Sequence, residues 1–210
     1  MYVPQAFSQT DPDKLACLIR ENGFGELVTA IDGTPVVSHL PFMFEPDEGA
    51  LGILHAHVAR ANPHWKQGDC KAMAVFVGPH HYISPTWYEE AGTVPTWAYV
   101  AVHVRGTLEW SDDPGAARAV LERLVAFHER GRPHPWAADF ESPDLERKMR
   151  GIVSLRIVVE AIEGQWKLNQ NHPPERRART ARALRELPAQ DAQAIAALME
   201  ENLLRRSSND

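Results

Sequence analysis

At 210 residues, with 44% hydrophobic and 24% charged side chains, the chain has the balance of a globular protein with a real core, which excludes a disordered or fibrous one. Its 22 Lys and Arg against 28 Asp and Glu leave a net charge of −6, which argues against a protein whose main task is gripping nucleic acid through phosphates; a local basic patch stays open. Cys17 and Cys70 form no CxxC and are too few for a disulfide scaffold, no apolar run reaches membrane-spanning length, and "MYVPQAFSQTDPDKL" lacks a basic start followed by an apolar stretch, so a cytoplasmic setting without membrane contact is expected.

The first helix is signalled by "TDPDKLACLIRENG": Thr10 or Asp11 caps, Pro12 suits the first turn, Leu15, Leu18 and Ile19 share a face, and Gly23 ends it. Strands follow. "GELVTAI" and "TPVVSHLPFMF" flank the hairpin signal "DG", and "LGILHAHV" comes after the acidic turn "EPDEG". "KAMAVFVG" is nearly all apolar, as a strand covered on both faces would be. Residues 97–105 alternate, with Val100, Val102 and Val104 on one side. A helix then starts at Ser111 or Asp112 with Pro114 in its first turn, and residues 152–162 alternate again. The tail from Pro173 reads as two amphipathic helices, "PERRARTARALREL" and "PAQDAQAIAALMEENLL". Five or six antiparallel strands with helices at the edges predict a barrel-like sheet in an α+β domain.

Four segments carry candidate chemistry. "HVARANPHW" sets His57, Arg60 and Asn62 at the end of a strand, where they could clamp an anion such as a phosphate. The segment by itself favours the plainer alternative, a helix start tied down by its own side chains with Arg60 on the surface. His55 and His57 lie two apart on a strand, a usable metal-ligand spacing, but no third or fourth ligand accompanies them. "GPHHYISPTWYEEAGTVPTWAY" places aromatic rings beside Pro-Thr pairs twice, as a pocket for a planar heteroaromatic would need or as a minor aromatic core would. "EGQWKLNQNHPPE" gathers Lys167, Asn169, Gln170 and Asn171, which are either turn residues or contacts to a polar ligand. The five arginines between 176 and 185 read as a solvated helix face.

Taken in order, "MYVPQAF", "HVARANPHW", "YISPTWY", "VPTWAY" and "KLNQN" resemble the PaiB-type proteins, called FMN-binding negative transcriptional regulators, along nearly the whole chain. The resemblance implies a mainly antiparallel split β-barrel of the pyridoxine-phosphate-oxidase kind, with flanking helices, FMN as cofactor and a homodimer holding it in the interface groove. The barrel would occupy residues 1–172, and residues 173–210 would form a helical extension on the same domain or on the partner subunit. It also implies roles: Arg60 and Asn62, with His57, at the FMN phosphate; His39 of "SHLP" at the isoalloxazine ring; Ser84, Trp87, Thr96 and Trp97 lining the pocket; Lys167, Asn169 and Gln170 as late contacts to ring or phosphate. The family pattern reads closer to "KLSQN", "SPSWY" and "VPTWNY", so Asn169, Thr86 and Ala98 are departures, and Ala98 lacks an amide.

Three functions stay open on this reading. A flavin-dependent oxidoreductase of unknown substrate would let the cofactor carry the reaction, since no side chain stands out as a dedicated acid or base. A regulator would contact DNA indirectly or through the arginine helix, in the absence of a helix-turn-helix pattern. The abundance of histidines (His39, His55, His57, His64, His80, His81) also fits haem or a metal in the same groove.

Overall fold

The computed structural model describes residues 1–207. Its strands are β1 (Ser8–Gln9), β2 (Phe24–Ile31), β3 (Thr34–Pro41), β4 (Met43–Glu45), β5 (Ile53–Ala59), β6 (Cys70–Ile83), β7 (Thr96–Ser111) and β8 (Ile152–Lys167). The helices are α1 (Pro12–Glu21), α2 (Pro114–Glu129), α3 (Pro143–Met149), α4 (Pro174–Arg185) and α5 (Gln190–Ser207), and short 3-10 turns cover Gln5–Phe7, Pro63–Gln67 and Pro85–Tyr88. The strands form one open sheet in the order β3-β2-β6-β7-β8-β5-β4, with β1 added to β8, and every register-matched pair is antiparallel.

Local chemistry sets most boundaries. Asp32 and Gly33 both take positive φ (49° and 78°), the two-residue turn whose twist matches a hairpin, and β2 and β3 then pair from Ile31↔Thr34 to Phe24↔Pro41. Asp11 caps α1 by accepting from the Asp13 and Lys14 amides. For α2 the cap is Asp113, whose Oδ2 accepts from the Ala116 amide at 2.8 Å, rather than Ser111 or Asp112. Ser111 instead accepts from the Asp113 amide, one step before the helix. Gly106 in β7 is required by close approach, because a Cβ there would lie 2.1 Å from the Val158 carbonyl oxygen. Helix α3 carries no periodic apolar stripe over its seven residues and gives little sequence signal beyond Ser142-Pro143, the cap and first residue that start it.

By contact density the chain forms two units, one of residues 1–18, 77–102 and 163 onward, the other of residues 19–76 and 103–162. The core of the second unit is built from Leu27, Leu54, Ala56, Phe76, Val104, Leu108, Val153 and Ile157, and Phe42 meets Phe76 edge-on at 5.6 Å. Each such buried Val, Leu, Ile or Phe side chain contributes roughly 1.5–3 kcal/mol over its exposed form. The first unit centres on Ile83, Tyr88, Val100, Leu168 and the stripe Ala192, Ile195, Ala196 and Met199 of α5, with Leu184 of α4.

Two expectations need correction. β6 is not covered on both faces: Ala72, Ala74 and Phe76 are buried, whereas Met73 and Val75 are half-buried and Val77 is exposed. An antiparallel sheet commonly packs one face on the core, and Met73 and Val75 lie on the other, where Met73 is register-matched to Val28 and Val28 to Val37. The arginine helix is not a solvated face either. Arg177 is 0% exposed and donates to Asn202 Oδ1 at 2.6 Å, Arg176 and Arg179 both bond Glu90, and Arg185 bonds Glu200. Arg182 and Arg185 remain exposed, so the correction concerns Arg176, Arg177 and Arg179, which turn inward and meet acceptors as an arginine inside a fold must.

Candidate functional site

In the second unit the polar turn after β5 satisfies itself. Asn62 caps the 3-10 turn, its Oδ1 accepting from the His64 amide at 2.9 Å while its Nδ2 donates to Ser38 Oγ at 3.1 Å. His64 is buried, with Nδ1 2.8 Å from Ser38 Oγ and Nε2 2.9 Å from Thr29 Oγ1, and Gln67 completes the set by exchanging bonds with Thr29. The segment is thereby locked onto the β2–β3 hairpin. Arg60 donates from Nε to the Arg150 carbonyl at 2.8 Å and from Nη2 to the Ile152 carbonyl at 3.2 Å, and its guanidinium lies 5.8 Å from the Trp65 ring centre. Only its Nη1 is left near a charge, Asp112 at 3.8 Å.

The other candidates of this unit lie apart from that network. His57 on β5 is half-buried, with a buried Nδ1 that has no hydrogen-bond partner among the described residues, and burial pushes its pKa down. His39 is exposed on β3, stacked at 6.4 Å on Phe24 and 3.8 Å from Glu26. His55 is held by Glu48 at 2.9 Å. Among the described residues, no group of three or more His, Cys, Asp or Glu is placed to hold a metal ion.

In the first unit the polar groups bond one another and also line a cavity. A cavity of about 500 Å³ is lined by Phe7, Tyr88, residues 91–96, Lys167, Asn169, Asn171, His172 and Arg176. Lys167, the last residue of β8, donates to Thr96 Oγ1 at 2.8 Å, and its Nζ lies 6.0 Å from the Tyr99 ring centre. Asn169 adopts a left-handed conformation (φ 60°), which asparagine tolerates better than serine, and its Nδ2 is 3.5 Å from the Tyr88 hydroxyl. Tyr88 is fully buried, and burial raises its phenol pKa. Arg176 stacks over it at 5.2 Å, bonds Glu90 through Nη2 and reaches His172 Nδ1 through Nη1 at 3.0 Å. The Arg176 bond also holds the Glu90 carboxyl below the usual carboxylate range.

Among the predicted residues of this unit, Thr96, Lys167 and Asn169 line the cavity. Gln170 does not: its Oε1 accepts from the Leu168 amide at 2.7 Å and its Nε2 donates to the Trp166 carbonyl at 2.5 Å, bracing the turn that presents its neighbours. Ser84 caps the Pro85–Tyr88 turn and bonds Thr86, so the Thr86 hydroxyl serves the turn. Trp87 stacks on His81. Trp97 is 53% exposed, against His80 and Tyr82. Ala98 is fully buried on the inner side of β7, where no polar side chain is needed. Phe7 and Tyr88 stand inside the quoted motifs without a role of their own, whereas Asn171, one of the four polar residues after β8, does line the cavity; His172, two residues before α4, and Arg176 in its first turn line it as well, and a reading of the arginines as a solvated face gives neither a role there.

Comparison with known proteins gives these arrangements a family. Residues 1–161 match the model of the family described as "Putative FMN-binding domain". The chain is 34% identical over 206 residues to the "Protease synthase and sporulation protein PAI 2" of Bacillus subtilis, covering 97% of this chain and 98% of that protein. It is 40% identical over 103 residues to the uncharacterized protein YKL070W of Saccharomyces cerevisiae, covering 46% of this chain and 61% of that protein. Among solved structures it is similar to the FAD and heme binding protein from Mycobacterium smegmatis (TM-score 0.58, 16% identity, 76% of this chain and 73% of that one). The flavocytochrome Anf3 from Azotobacter vinelandii gives a TM-score of 0.55 at 14% identity, over 79% of this chain and 72% of that one. At such identities the structural likeness concerns the fold alone, which is the split β-barrel. From the family match over residues 1–161 and the alignment to PAI 2 across 97% of its length, the chain belongs to the FMN-binding domain family.

Proposed function

We propose that the cavity of the first unit holds FMN as a resident cofactor and that the working form is a homodimer. The observation that carries this is the lining: Lys167, Arg176, Thr96, Asn169, Asn171 and His172 converge on about 500 Å³ with no carboxylate at the wall among the described residues. FMN offers a phosphate dianion, ribityl hydroxyls and a flat ring with acceptor atoms. Two cations, a hydroxyl and two amides suit the first two, and the faces of Phe7, Tyr88 and Pro95 suit the ring. The volume falls in the range of small-ligand sites.

When bound, FMN supplies hydride or single-electron transfer at its ring. The chain's part is then to hold and orient it: Lys167 is fixed by Thr96 and poised over Tyr99, and Tyr88 is packed beneath Arg176. Apolar outer surfaces support the dimer, since Phe24 and Val37 in one unit and Val94 and Trp97 in the other are exposed, and a second copy would cover such residues. A regulatory role is compatible with this reading, but four arginines of α4 already have acceptors, which gives direct duplex binding through that helix no support.

The test is an absorbance and fluorescence spectrum of the purified protein, followed by FMN titration, with sedimentation for mass. Saturable binding that shifts the flavin spectrum, in a dimer, is the expected result. A protein that stays colourless and leaves added FMN free would overturn the cofactor reading, and a monomer at micromolar concentration would overturn the dimer.

A further inference from the structure

His172 has a chemical state that its neighbour dictates. Its Nδ1 lies 3.0 Å from Arg176 Nη1, and a guanidinium carries donors only, so Nδ1 must be the acceptor and carries no proton. A neutral imidazole with a bare Nδ1 has its proton on Nε2. Arg176 is not free to turn away from this arrangement. Its Nη2 is bonded to Glu90, its plane lies over the buried Tyr88 ring, and Glu90 is itself held by Arg179 Nη2 at 2.5 Å. The His172 ring also packs at 5.7 Å on Tyr88, whose hydroxyl faces Asn169. Protonating His172 would turn Nδ1–H against an N–H of Arg176 and set two cations side by side.

No protein acceptor meets Nε2–H among the described residues, and His172 lines the cavity. We infer that His172 is the cavity's uncharged hydrogen-bond donor, fixed as the Nε2–H tautomer by Arg176, with Glu90 and Arg176 as positioning residues that act through it. The acceptor it serves is an oxygen or ring nitrogen on the occupant of the cavity. That this occupant is FMN, or a co-substrate beside it, rests on the reading of the previous section. The arrangement gives the site a donor that polarises an acceptor without adding a third positive charge to Lys167 and Arg176, so the occupant need not balance one more cation. Burial and the Arg176 charge both push His172 below the ordinary histidine range, against the opposing pull of Glu90. The other charged or titratable groups around it are Tyr88, Arg179 across Glu90, and Lys167 in the cavity lining.

The experiment reads the tautomer directly. Two-dimensional 1H–15N spectra of the ring nitrogens in the full-length protein without ligand should show His172 as Nε2–H, titrating below the free value of 6.5. In Arg176→Met the midpoint should rise and the tautomer preference weaken. For FMN, His172→Gln, which can keep a donor near the same place, should retain affinity within about threefold, whereas His172→Leu should lose about tenfold. A wild-type His172 that is Nδ1–H, or that titrates at or above 6.5, would overturn the inference whatever the variants do. A leucine variant that folds and binds FMN as tightly as wild type would overturn the donor role. If wild type shows the fixed tautomer yet binds no FMN, the tautomer inference is upheld and the flavin reading falls.

Discussion

The two polar constellations of this molecule have similar ingredients and opposite organisation. Around residues 60–67, an arginine, an asparagine, a histidine and a glutamine find their partners in carbonyls and in the hydroxyls of Thr29 and Ser38. Around the cavity of the first unit, Lys167, Asn171 and His172 line the open space, and the bonds Lys167 and His172 make to the protein use only part of their capacity. A polar cluster whose groups satisfy one another stabilises a fold; one that leaves donors over a cavity is prepared for a ligand. Residue type alone does not separate the two cases.

The comparison can be broken by mutation. His64→Ala should have the largest effect, a loss of about 2–3 kcal/mol in urea denaturation, because the buried Thr29 hydroxyl and the half-buried Ser38 hydroxyl both lose their ring partner. FMN affinity per folded molecule should not change. Lys167→Ala should do the reverse, weakening FMN by about 1.5–3 kcal/mol in a titration while moving the urea midpoint little, since its single hydrogen bond among the described residues is to the Thr96 hydroxyl.

Arg60→Ala sharpens the contrast. It should destabilise by about 1–2 kcal/mol, because the Arg150 and Ile152 carbonyls lose a donor, and leave FMN affinity within about threefold. A loss of tenfold or more in affinity would return Arg60 to the phosphate site that the family resemblance implies.

A pH titration of stability tests the burial of the histidines. His57, His64 and His172 all have folded pKa values pushed below 6.5 by burial, so the unfolded chain binds more protons between the folded values and 6.5. Their contribution is complete above 6.5 and is lost as pH falls through that window, and His64→Ala should flatten part of the slope. The smallest effect is expected for Gly33→Ala. Nothing lies within 4 Å of a Cβ there, so only the left-handed backbone (φ 78°) resists, at about 1 kcal/mol, and the network that Thr29 and Ser38 hold on the same hairpin should survive.

Much of the fold was legible locally. Asp32-Gly33 announced the β2–β3 hairpin, Pro12 and Pro114 marked helix starts, and Leu15, Leu18, Ile19, Val100, Val102 and Val104 are all buried as their spacing requires. The proposed site is legible only in part. Thr96, Lys167 and Asn169 line the cavity, whereas Gln170 bonds its own turn, and Tyr88, His172 and Arg176, which line it too, have no local pattern that marks them. Adjacent residues in a tight turn point in different directions, so a motif names a neighbourhood and not the side chain that enters it.

The sequence by itself determined the class of fold, the family and the segments from which a site is made, because periodicity, turn chemistry and ordered motifs are properties of the chain read along its length. Tertiary structure alone decided which polar groups were already satisfied. Whether Arg60 meets a carbonyl 90 residues away, or Arg176 meets Glu90 across 86, depends on distances that only the folded backbone sets. A hydrogen bond is made or missed within a few tenths of an ångström, and no local pattern encodes that.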